Sequence, residues 1–573
     1  MYLPPAVYQA AFLALLAPAL AAPSAGTSKE DKNLKGRPEG DTPALLKRAC
    51  PDYTKYASVK HGPYSKGPLK LPFQRPAEEC RTFTSHAVEK VINDITSRLV
   101  DKDLARIFEN AYPNTLDTTV RWHVNGSDST STGGKNARRE KSDESWQGPQ
   151  SFIITGDIDA EWLRDSTNQL AGYQALLQYD PALESLIHGA ISTQAEFVIQ
   201  SPYCNAFQPP PPSGDKPSEN GQDDTVHPAY DQSVVFECKY ELDSLANFLS
   251  LGNQFFNSTG STKYMTKRWY TAIKTVLKTL DEQSQPTFDS KGQYQDNEYT
   301  FSRQTDLGTE TLNLAGLGNP LNHNTGLVRS AFRPSDDATI FGFFIPANAQ
   351  MAVELHRTAQ AVKAAKGPEE LIKQLEHYSE RITKGIWEHG VFEHKKFGKV
   401  FAYEIDGYGS ALFMDDANLP SLLALPVLGF VDKDNEVYKN TRKMVLSQEG
   451  NPYYLTGSAF KGIGGPHIGV QNAWPMSVLI AARTSDSDKE ITDALNMVRD
   501  SCRLGLIHES VNVNNVNKYT RPWFAWANSV FAVTILDIAE NKPELIFGKG
   551  AEKYSVKDAM ERMKRGYAEI HRT

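Results

Sequence analysis

The segment Ser330-Ala-Phe-Arg-Pro-Ser-Asp-Asp337 places two adjacent carboxyl groups, Asp336 and Asp337, directly before an apolar segment of helical character, Ala338 to Val362. Ser335 or Asp336 could cap that helix, because a short oxygen side chain accepts from the free N–H groups of the first turn. Asp336 could instead act as a general acid, which needs a pKa raised towards neutrality. A helix N-terminus would lower that pKa, whereas a neighbouring carboxylate and a closed apolar pocket would raise it. The segment alone leaves both interpretations open.

Six short clusters of polar and aromatic residues are each followed by a stripe of apolar residues at helical spacing. The clusters span residues 156–165, 237–244, 333–337, 414–418, 467–474 and 508–528. Their intervals fit one helical hairpin plus its loops, and few runs show the alternation of strands. If the hairpins pack side by side in a ring, all six helix starts lie at one end and their loops surround one pit. The sequence therefore predicts a mainly α fold, an (α/α)6 barrel with a loop-borne active site at one end.

Such a pit would be lined with Asp, Glu, Trp, Tyr, Asn, Arg and His, and this mixture suits a sugar. Carboxylates and arginines bind hydroxyl groups, and flat aromatic faces cover the apolar face of a pyranose. Breaking a glycosidic bond usually takes two carboxyl groups. Asp336 is the candidate acid, and Glu509, which precedes the amide-rich stretch 511–517, is the candidate for the second carboxylate. A lone Glu could equally be a solvated surface charge, and any one Trp could equally pack in the core.

The composition is that of a large globular protein. The chain has 573 residues, of which 40% are hydrophobic, and a formal net charge of -8 at pH 7. It can bury a large core, either as one enzyme-sized domain or as two or three smaller ones. No long basic block is present, so nucleic acid is not expected as a partner.

The N-terminus has the pattern of a cleaved signal peptide. An apolar run from Ala10 to Leu20 ends in the small residues Ala21 and Ala22, which predicts a signal peptide over residues 1–21. Because no Lys or Arg precedes the run, a short membrane anchor is the alternative. No later segment reaches about 18 uninterrupted apolar residues, so no membrane span is expected after signal removal.

Two tripeptides, Asn125-Gly-Ser127 and Asn257-Ser-Thr259, are candidate glycosylation sites, although such tripeptides also arise by chance. With the signal peptide, they predict a protein of the secretory pathway, either extracellular or in the lumen of the Golgi or vacuole. The oligomeric state is open.

The five cysteines fit the same route. Cys50, Cys80, Cys204 and Cys238 are the candidates for two disulfide bonds, whose connectivity cannot be deduced from sequence. Cys502 stands in an apolar context and is expected to be a buried thiol. No pair has the short spacing of a zinc site.

Composition also suggests where the chain divides. Residues 22–80 predict an N-terminal extension that is partly disordered or draped on the surface. Residues 81–545 predict the catalytic domain, with insertions near 125–149 and 206–233, the second of which is too rich in proline for a helix or a central strand. Residues 546–573 predict a C-terminal helical tail.

Five of the motifs, in order, closely resemble glycoside hydrolase family 125, the metal-independent exo-α-1,6-mannosidases. The matching motifs are residues 156–166, 332–337, 414–418, 508–510 and 523–528, and the resemblance covers roughly residues 105–537. It implies hydrolysis of mannose-containing glycans, whether N-linked, O-linked or mannan, with no cofactor and no metal ion. The linkage preference is the least constrained part, because the insertions could reshape the side of the pocket that takes the leaving group.

The resemblance also implies roles for individual residues. Asp336 falls on the family's general acid and Glu509 on its general base, and the family inverts the anomeric centre. The two carboxyl groups are then expected to stand about 6.5 to 9.5 Å apart, which leaves room for a water molecule. Trp162, Arg164, Asp165 and Asp243 match motif positions expected to contact the terminal mannose. The further candidates for substrate binding are Asp157, Arg333, Asp337, Asp415, Asp416, His467, Trp474, His508, Trp523 and Trp526.

Three rival hypotheses use the same residues. Asp157-Ile-Asp159 could hold Mg²⁺ or Mn²⁺ in a glycosyltransferase, but such enzymes normally need a parallel sheet, and no strand–helix–strand repeat is evident. A Ca²⁺-assisted mannosidase is a second rival, because oxygen ligands suit calcium. The third is a non-catalytic mannose-binding lectin on the same fold, which would keep the aromatic contacts and could lose the acid or the base.

Overall fold

The computed structural model describes residues 50–126 and 145–562. The predicted signal peptide, the rest of the extension up to residue 49, most of the first insertion and the end of the C-terminal tail lie outside the described residues.

Helices are the main regular secondary structure of the described chain, as predicted. They are α1 Tyr53–Ala57, α2 His86–Arg98, α3 Lys102–Ala111, α4 Asn114–Thr118, α5 Leu163–Leu170, α6 Pro181–Gln200, α7 Leu242–Thr259, α8 Lys267–Gln283, the short turn α9 Asn313–Gly316, α10 Ile345–Ala364, α11 Glu369–His389, α12 Leu425–Leu428, α13 Glu436–Val445, α14 Pro475–Arg483, α15 Asp488–Ser501, α16 Ala525–Asn541 and α17 Glu544–Phe547.

The helices form two concentric layers. In the inner layer α5 packs against α7 and α16, α7 packs against α10, α10 packs against α12, and α14 packs against α16. The outer layer places α6 on α7, α8 on α6, α11 on α10 and α15 on α14. Inner helices such as α7 and α16 are buried around most of their circumference, whereas outer helices such as α11 bury one stripe. This is the predicted (α/α)6 barrel.

Local sequence explains where several helices begin. The side chain of Asp180 accepts from the N–H groups of Ala182 and Leu183, and Pro181 occupies the first turn of α6, where its missing N–H costs nothing. The stripe Leu371, Leu375, Tyr378, Ile382 and Ile386 is buried along α11, as its spacing predicts.

Short antiparallel strands, which the sequence did not predict, precede several inner helices. They are β1 Val120–Val124, β2 Gln150–Ile153, β3 Glu161–Trp162, β4 Ala206–Phe207, β5 Asp224–His227, β6 Val235–Glu237, β7 Thr300–Arg303, β8 Phe343–Phe344, β9 Val391–His394, β10 Gly398–Phe401, β11 Glu404–Ile405, β12 Ala411–Leu412, β13 Tyr454–Thr456, β14 Lys461–Ile463, β15 Asn472–Ala473, β16 Val511–Asn512 and β17 Asn515–Tyr519. Three of the sheets are three-stranded, β3-β4-β6, β8-β11-β12 and β15-β16-β17. Strands of two to five residues are too short to show an alternating pattern.

The predicted helix from Ala338 is wrong in its start. After an isolated bridge between Phe332 and Ala338, the chain passes through β8, and α10 begins only at Ile345. Its N-cap residue is Phe344 and no side chain caps it, so neither Ser335 nor Asp336 has that role. The cluster 414–418 also leads into a loop, and α12 begins only at Leu425. The other four clusters are followed directly by α5, α7, α14 and α16.

The predicted second insertion, near 206–233, begins with a strand. Ala206 and Phe207 form β4, the central strand between β3 and β6, so the excursion begins after Phe207. Within it, β5 pairs with β7 through Asp224 to His227.

The cysteines behave as predicted. Cys204 and Cys238 form a disulfide bond, Cys50 and Cys80 are likewise disulfide-bonded, and Cys502 is a buried free thiol. The bond between Cys204 and Cys238 ties the loop just before β4 to the residue just after β6.

At the C-terminal end, the described part of the tail is helical from Val556 to Arg562. Tyr554, just before this helix, is buried. None of the described helices is both long and apolar enough to cross a membrane.

The segment 51–80 is attached to the barrel by buried charges. Arg75 Nε lies 2.7 Å from Asp117 Oδ2 and its guanidinium also pairs with Glu89. The side chains of Arg75 and Asp117 are about 5% and 4% exposed. Buried pairs of this kind cost little when complete and much when one partner is lost.

We expect Arg75→Ala to lower the free energy of unfolding by about 3 kcal/mol, because it leaves the buried Asp117 carboxylate without its main partner. Denaturant unfolding followed by circular dichroism measures the change. Lys55→Ala, which removes a partner from the exposed pair with Asp52, is the matched control and should cost less than about 0.5 kcal/mol. Equal effects of the two substitutions would contradict the assignment.

Candidate active site

Asp336 sits on a tight turn at the end of the barrel where the inner helices begin. The N–H of Asp336 donates to the carbonyl of Arg333 at 2.9 Å, and the N–H of Arg333 donates to the carbonyl of Asp337 at 2.8 Å. Asp336 has a φ of 67°, a left-handed conformation that Asp tolerates better than most residues. Backbone strain of this kind concentrates at functional sites.

Glu404 on β11 holds this turn by accepting hydrogen bonds from it and from the residues that follow it. Arg333 Nε donates to Glu404 Oε1 at 2.6 Å, and the N–H groups of Ile340 and Phe341 donate to Glu404 Oε2 at 2.9 and 3.0 Å. Arg333 is only 2% exposed. Arg333, predicted to bind substrate, holds the turn with its guanidinium and is not among the residues that line the pocket.

Three donors converge on one carboxylate oxygen of Asp336. Oδ1 accepts hydrogen bonds from Trp162 Nε1 at 3.3 Å, Asn205 Nδ2 at 3.1 Å and Arg164 Nη2 at 3.5 Å. Burial raises the pKa of Asp336, but the positive charges of Arg164 and Lys239 outweigh it and hold the pKa below its ordinary value. The carboxyl group is thus fixed in direction and favoured as the anion.

Arg164 is shared by four carboxyl groups. Besides Asp336, its guanidinium lies 2.5 Å from Glu241, 3.4 Å from Asp165 and 3.5 Å from Asp243. Burial raises the pKa of Asp165 to about 6 and that of Asp243 to about 7, against the lowering effect of Arg164.

Glu509 stands at the base of a β-hairpin. The amide-rich stretch after it folds as the hairpin of β16 and β17, in which β16 also pairs with β15. The hairpin returns Thr520 and Arg521 to Glu509. Thr520 Oγ1 donates to Glu509 Oε2 at 2.5 Å, and Arg521 Nε lies 3.2 Å from Glu509 Oε1. Arg521 also pairs with Asp157 at 2.6 Å.

Both carboxyl groups line one open pocket of about 430 Å³. The sequence-predicted residues that line it are Trp162, Arg164, Asp165, Asp336, His467, Trp474, Glu509 and Trp526. The indole Nε1 atoms of Trp474 and Trp526 are buried and have no acceptor among the described residues. A ligand rich in hydroxyl groups would satisfy them.

Four predicted residues do not line the pocket but contact residues that do. Asp157 supports Arg521, and Asp243 supports Arg164. Asp337 accepts from Ser335 at 2.9 Å and lies 3.5 Å from His467 Nδ1. Burial lowers the pKa of His467, but the nearby carboxylates, Asp337 first, raise it to about 9. Asp416 accepts from the backbone and side-chain nitrogen atoms of Asn418, which lines the pocket.

Three more of the residues predicted to bind substrate, Asp415, His508 and Trp523, do not line the pocket. Asp415 is fully buried and accepts from the N–H groups of Leu422 and Leu423 at 2.8 and 2.9 Å, and burial raises its pKa to about 8. His508 stacks on Tyr519 at 4.0 Å.

Trp523 packs against the backbone of Gly156, where an added Cβ would lie 2.3 Å from its ring, and against Tyr53 of α1. It holds the loop that carries Asp157 and is not among the residues that line the pocket.

The sequence missed several residues of the site. Asn205, Glu241, Thr520 and Arg521 hold the two carboxyl groups, and Thr155, Ile158, Pro334, Ser335, Asn418 and Phe524 complete the lining. Glu241, Asn418, Arg521 and Phe524 belong to the polar and aromatic clusters, so cluster membership was the available signal. Asn205 follows Cys204 outside any cluster and had none.

A ring of helical hairpins whose loops gather two held carboxyl groups and aromatic walls in one pocket is the arrangement of a glycoside hydrolase. Residues 101–536 match the family described as metal-independent α-mannosidases, GH125. The chain belongs to this family.

Two relatives support the assignment. A protein of Schizosaccharomyces pombe, the meiotically up-regulated gene 157 protein, is 54% identical over 501 residues, which are 87% of this chain and 94% of that protein. A solved structure of a metal-independent α-mannosidase from Streptococcus pneumoniae, in a non-productive complex with α-1,6-mannobiose, is 31% identical with a TM-score of 0.69. It covers 80% of this chain and 99% of that one.

We expect Arg521→Met to lower kcat/KM for a mannoside roughly thirtyfold, because Glu509 and Asp157 lose a charge-assisted partner. This loss corresponds to a rise of about 2 kcal/mol in the activation free energy. Steady-state kinetics measure the loss. Arg121→Met is the matched control, since Arg121 is half exposed and pairs with Asp159 outside the pocket lining. An unchanged kcat/KM in the Arg521 variant would show that Arg521 does not organise Glu509.

Proposed function

We propose that the protein is an exo-acting α-mannosidase that removes non-reducing terminal α-1,6-linked mannose by an inverting, metal-independent mechanism. The observation that carries the proposal is the pocket in which Asp336 and Glu509 are held by separate sets of donors, in a chain whose family consists of α-mannosidases. The α-1,6 linkage is supported by the mannobiose bound to the Streptococcus pneumoniae relative.

The two carboxyl groups have different surroundings, which suits different roles. Asp336, contacted by Trp162, Asn205 and Arg164, gives a proton to the leaving oxygen as the glycosidic C–O bond breaks. Glu509, held by Thr520 and Arg521, takes a proton from the water whose oxygen bonds to C1. The product is β-mannose, since water attacks the face opposite the leaving group.

Sugar recognition is supported by the walls of the pocket. Trp474 and Trp526 offer buried N–H donors that lack protein acceptors, and a pyranose ring offers hydroxyl oxygens as well as an apolar face. A pocket, as opposed to an open groove, fits a terminal residue and thus exo action.

Independence of metal ions is supported by the partners of the Asp-x-Asp motif. Asp157 pairs with Arg521 at 2.6 Å and Asp159 with Arg121 at 3.4 Å. Both carboxylates therefore already have cationic partners of their own.

We expect Asp336→Asn and Glu509→Gln each to lower kcat on α-1,6-mannobiose by about 10²- to 10⁴-fold, the usual contribution of a general acid or base. Proton NMR follows the released sugar with and without EDTA. β-Mannose should appear first, and EDTA should have no effect. Asp434→Asn and Glu436→Gln, at exposed positions next to α13, are matched controls with normal activity expected.

Other results would reassign the site. Near-normal activity in either variant removes that residue from its role. Mannose binding without hydrolysis by the unmodified protein would indicate a lectin, and loss of activity in EDTA would indicate a metal-dependent enzyme. Faster hydrolysis of α-1,2- or α-1,3-mannobiose would replace the proposed linkage.

We further propose that the protein matures in the secretory pathway and acts on mannose-containing glycans outside the cell or in the Golgi or vacuole lumen. Two disulfide-bonded cysteine pairs support an oxidising compartment. Asn125 and Asn257 are both exposed, as glycosylation requires.

When the full chain is expressed in a eukaryotic host, we expect enzymatic removal of N-glycans to lower its apparent mass on gel electrophoresis. Asn125→Gln with Asn257→Gln should abolish the shift, while Asn440→Gln, at an asparagine outside any acceptor tripeptide, should not. A cytosolic protein without glycans would contradict the route.

A further inference from the structure

Glu241 lies directly behind Asp336. The two carboxyl groups share two donors: Asn205 Nδ2 lies 3.1 Å from Asp336 Oδ1 and 3.3 Å from Glu241 Oε1, and the Arg164 guanidinium lies 3.5 Å from Asp336 and 2.5 Å from Glu241. The Asn205 amide is fixed because its Oδ1 accepts the N–H of Lys239 at 3.0 Å. Two carboxyl groups in such contact bind a proton between them, since two adjacent anions repel.

The pair differs in access to the pocket. The Asp336 side chain is 23% exposed and lines the pocket, whereas Glu241 is 1% exposed and does not. Glu241 is also held by Arg164 at 2.5 Å and by the hydroxyl of Ser244 at 2.9 Å. The inner carboxyl group is thus screened from solvent and the outer one meets the substrate.

The surrounding charges decide where the proton rests. The groups facing the pair are Arg164 and Asp165 from α5, Lys239 from the loop between β6 and α7, Asp243 from the first turn of α7, His467 from the loop before α14, and Arg521 from the loop before α16. Burial raises the pKa of Glu241 well above its ordinary value. Although burial also raises the pKa of Asp336, Arg164 and Lys239 keep it below its ordinary value. In the resting state the proton is therefore on Glu241 and the charge on Asp336.

A general acid that rests as an anion needs a source for the proton that it delivers. We propose that Asp336 and Glu241 form a two-carboxyl acid, in which Glu241 is a positioning residue that stores the proton and passes it to Asp336. This inference rests on the proposed function.

The steps balance with one water molecule. The Glu241 proton moves to Asp336, and Asp336 transfers it to the leaving oxygen as the C1–O bond breaks. Glu509 takes one proton from the water whose oxygen bonds to C1. Both products then leave with their hydroxyl groups complete, and the proton on Glu509 returns through solvent to the carboxyl pair.

The test compares two substrates, α-1,6-mannobiose, whose leaving oxygen must be protonated, and α-mannosyl fluoride, whose fluoride leaves without a full proton transfer. In Glu241→Gln we expect kcat/KM for mannobiose to fall by about 10²-fold, the scale of a lost general acid. Its kcat/KM for the fluoride should stay nearly unchanged, as in Asp336→Asn.

The pH profile supplies a second readout. In the unmodified protein the alkaline limb of kcat/KM for mannobiose reports the loss of the proton held by the pair. With Gln at position 241, Asp336 must hold the proton alone beside Arg164 and Lys239. Because those cations lower the pKa of Asp336, we expect the limb to move to lower pH.

Glu241→Asp keeps a carboxyl group at this position but withdraws it from Asp336, so it tests the same point if Glu241→Gln does not fold. It should show the same selective loss on mannobiose, in a smaller degree. Equal loss on both substrates with an unmoved alkaline limb would overturn the inference and leave Glu241 a structural residue. If the unmodified protein hydrolyses neither substrate, the proposed function fails and the inference fails with it.

Discussion

The end of the barrel is held together by one buried guanidinium that four carboxyl groups share. Arg164 is 3% exposed and comes from the first turn of α5. Its partners come from that same turn, from the start of α7 and from the 332–338 turn. A buried cation is tolerable only when paired, and each partner needs Arg164 for the same reason. The contacts therefore fix two inner helices and one loop relative to each other, and the position of Asp336 follows from them.

The short strands explain how side chains from distant parts of the chain reach one pocket. Each of β3, β8 and β15 ends within two residues of the inner helix that follows it, so each hairpin sheet sets the direction in which the chain enters the barrel. Trp162 closes β3 and donates to Asp336, while Glu404 on β11 holds the turn through Arg333. The inner helices supply a rigid ring, and the sheets direct the functional residues into it.

The ring of helices and the two candidate carboxyl groups could be predicted because each depends on a pattern within a short stretch of sequence. Helical stripes recur along the chain, and the motifs around Asp336 and Glu509 are contiguous. Residues such as Arg333 and Asp415 were assigned to the substrate because a charged residue in a motif resembles a ligand contact. Arg333 pairs with Glu404, and Asp415 accepts from the N–H groups of Leu422 and Leu423. These contacts depend on the tertiary structure, so no local sequence pattern indicates them. Asn205 was missed for the same reason, since its role arises only when β4 brings it beside Asp336.

The environment of Asp336 also answers the question that its sequence raised. The dipole of α10 does not stabilise its anion, because α10 begins only at Ile345 and the effect of a helix terminus fades within one turn. The side-chain cations Arg164 and Lys239 stabilise the anion instead. Around Arg164, carboxyl groups outnumber these cations. For the proposed reaction this excess has a use. The sugar ring becomes positively charged as the C1–O bond weakens. The carboxyl group of Asp165, the partner of Arg164 that lines the pocket beside Asp336, is already fixed in place and stabilises that charge without having to reorganise. The cluster that keeps the acid in position is therefore also suited to stabilise the transition state.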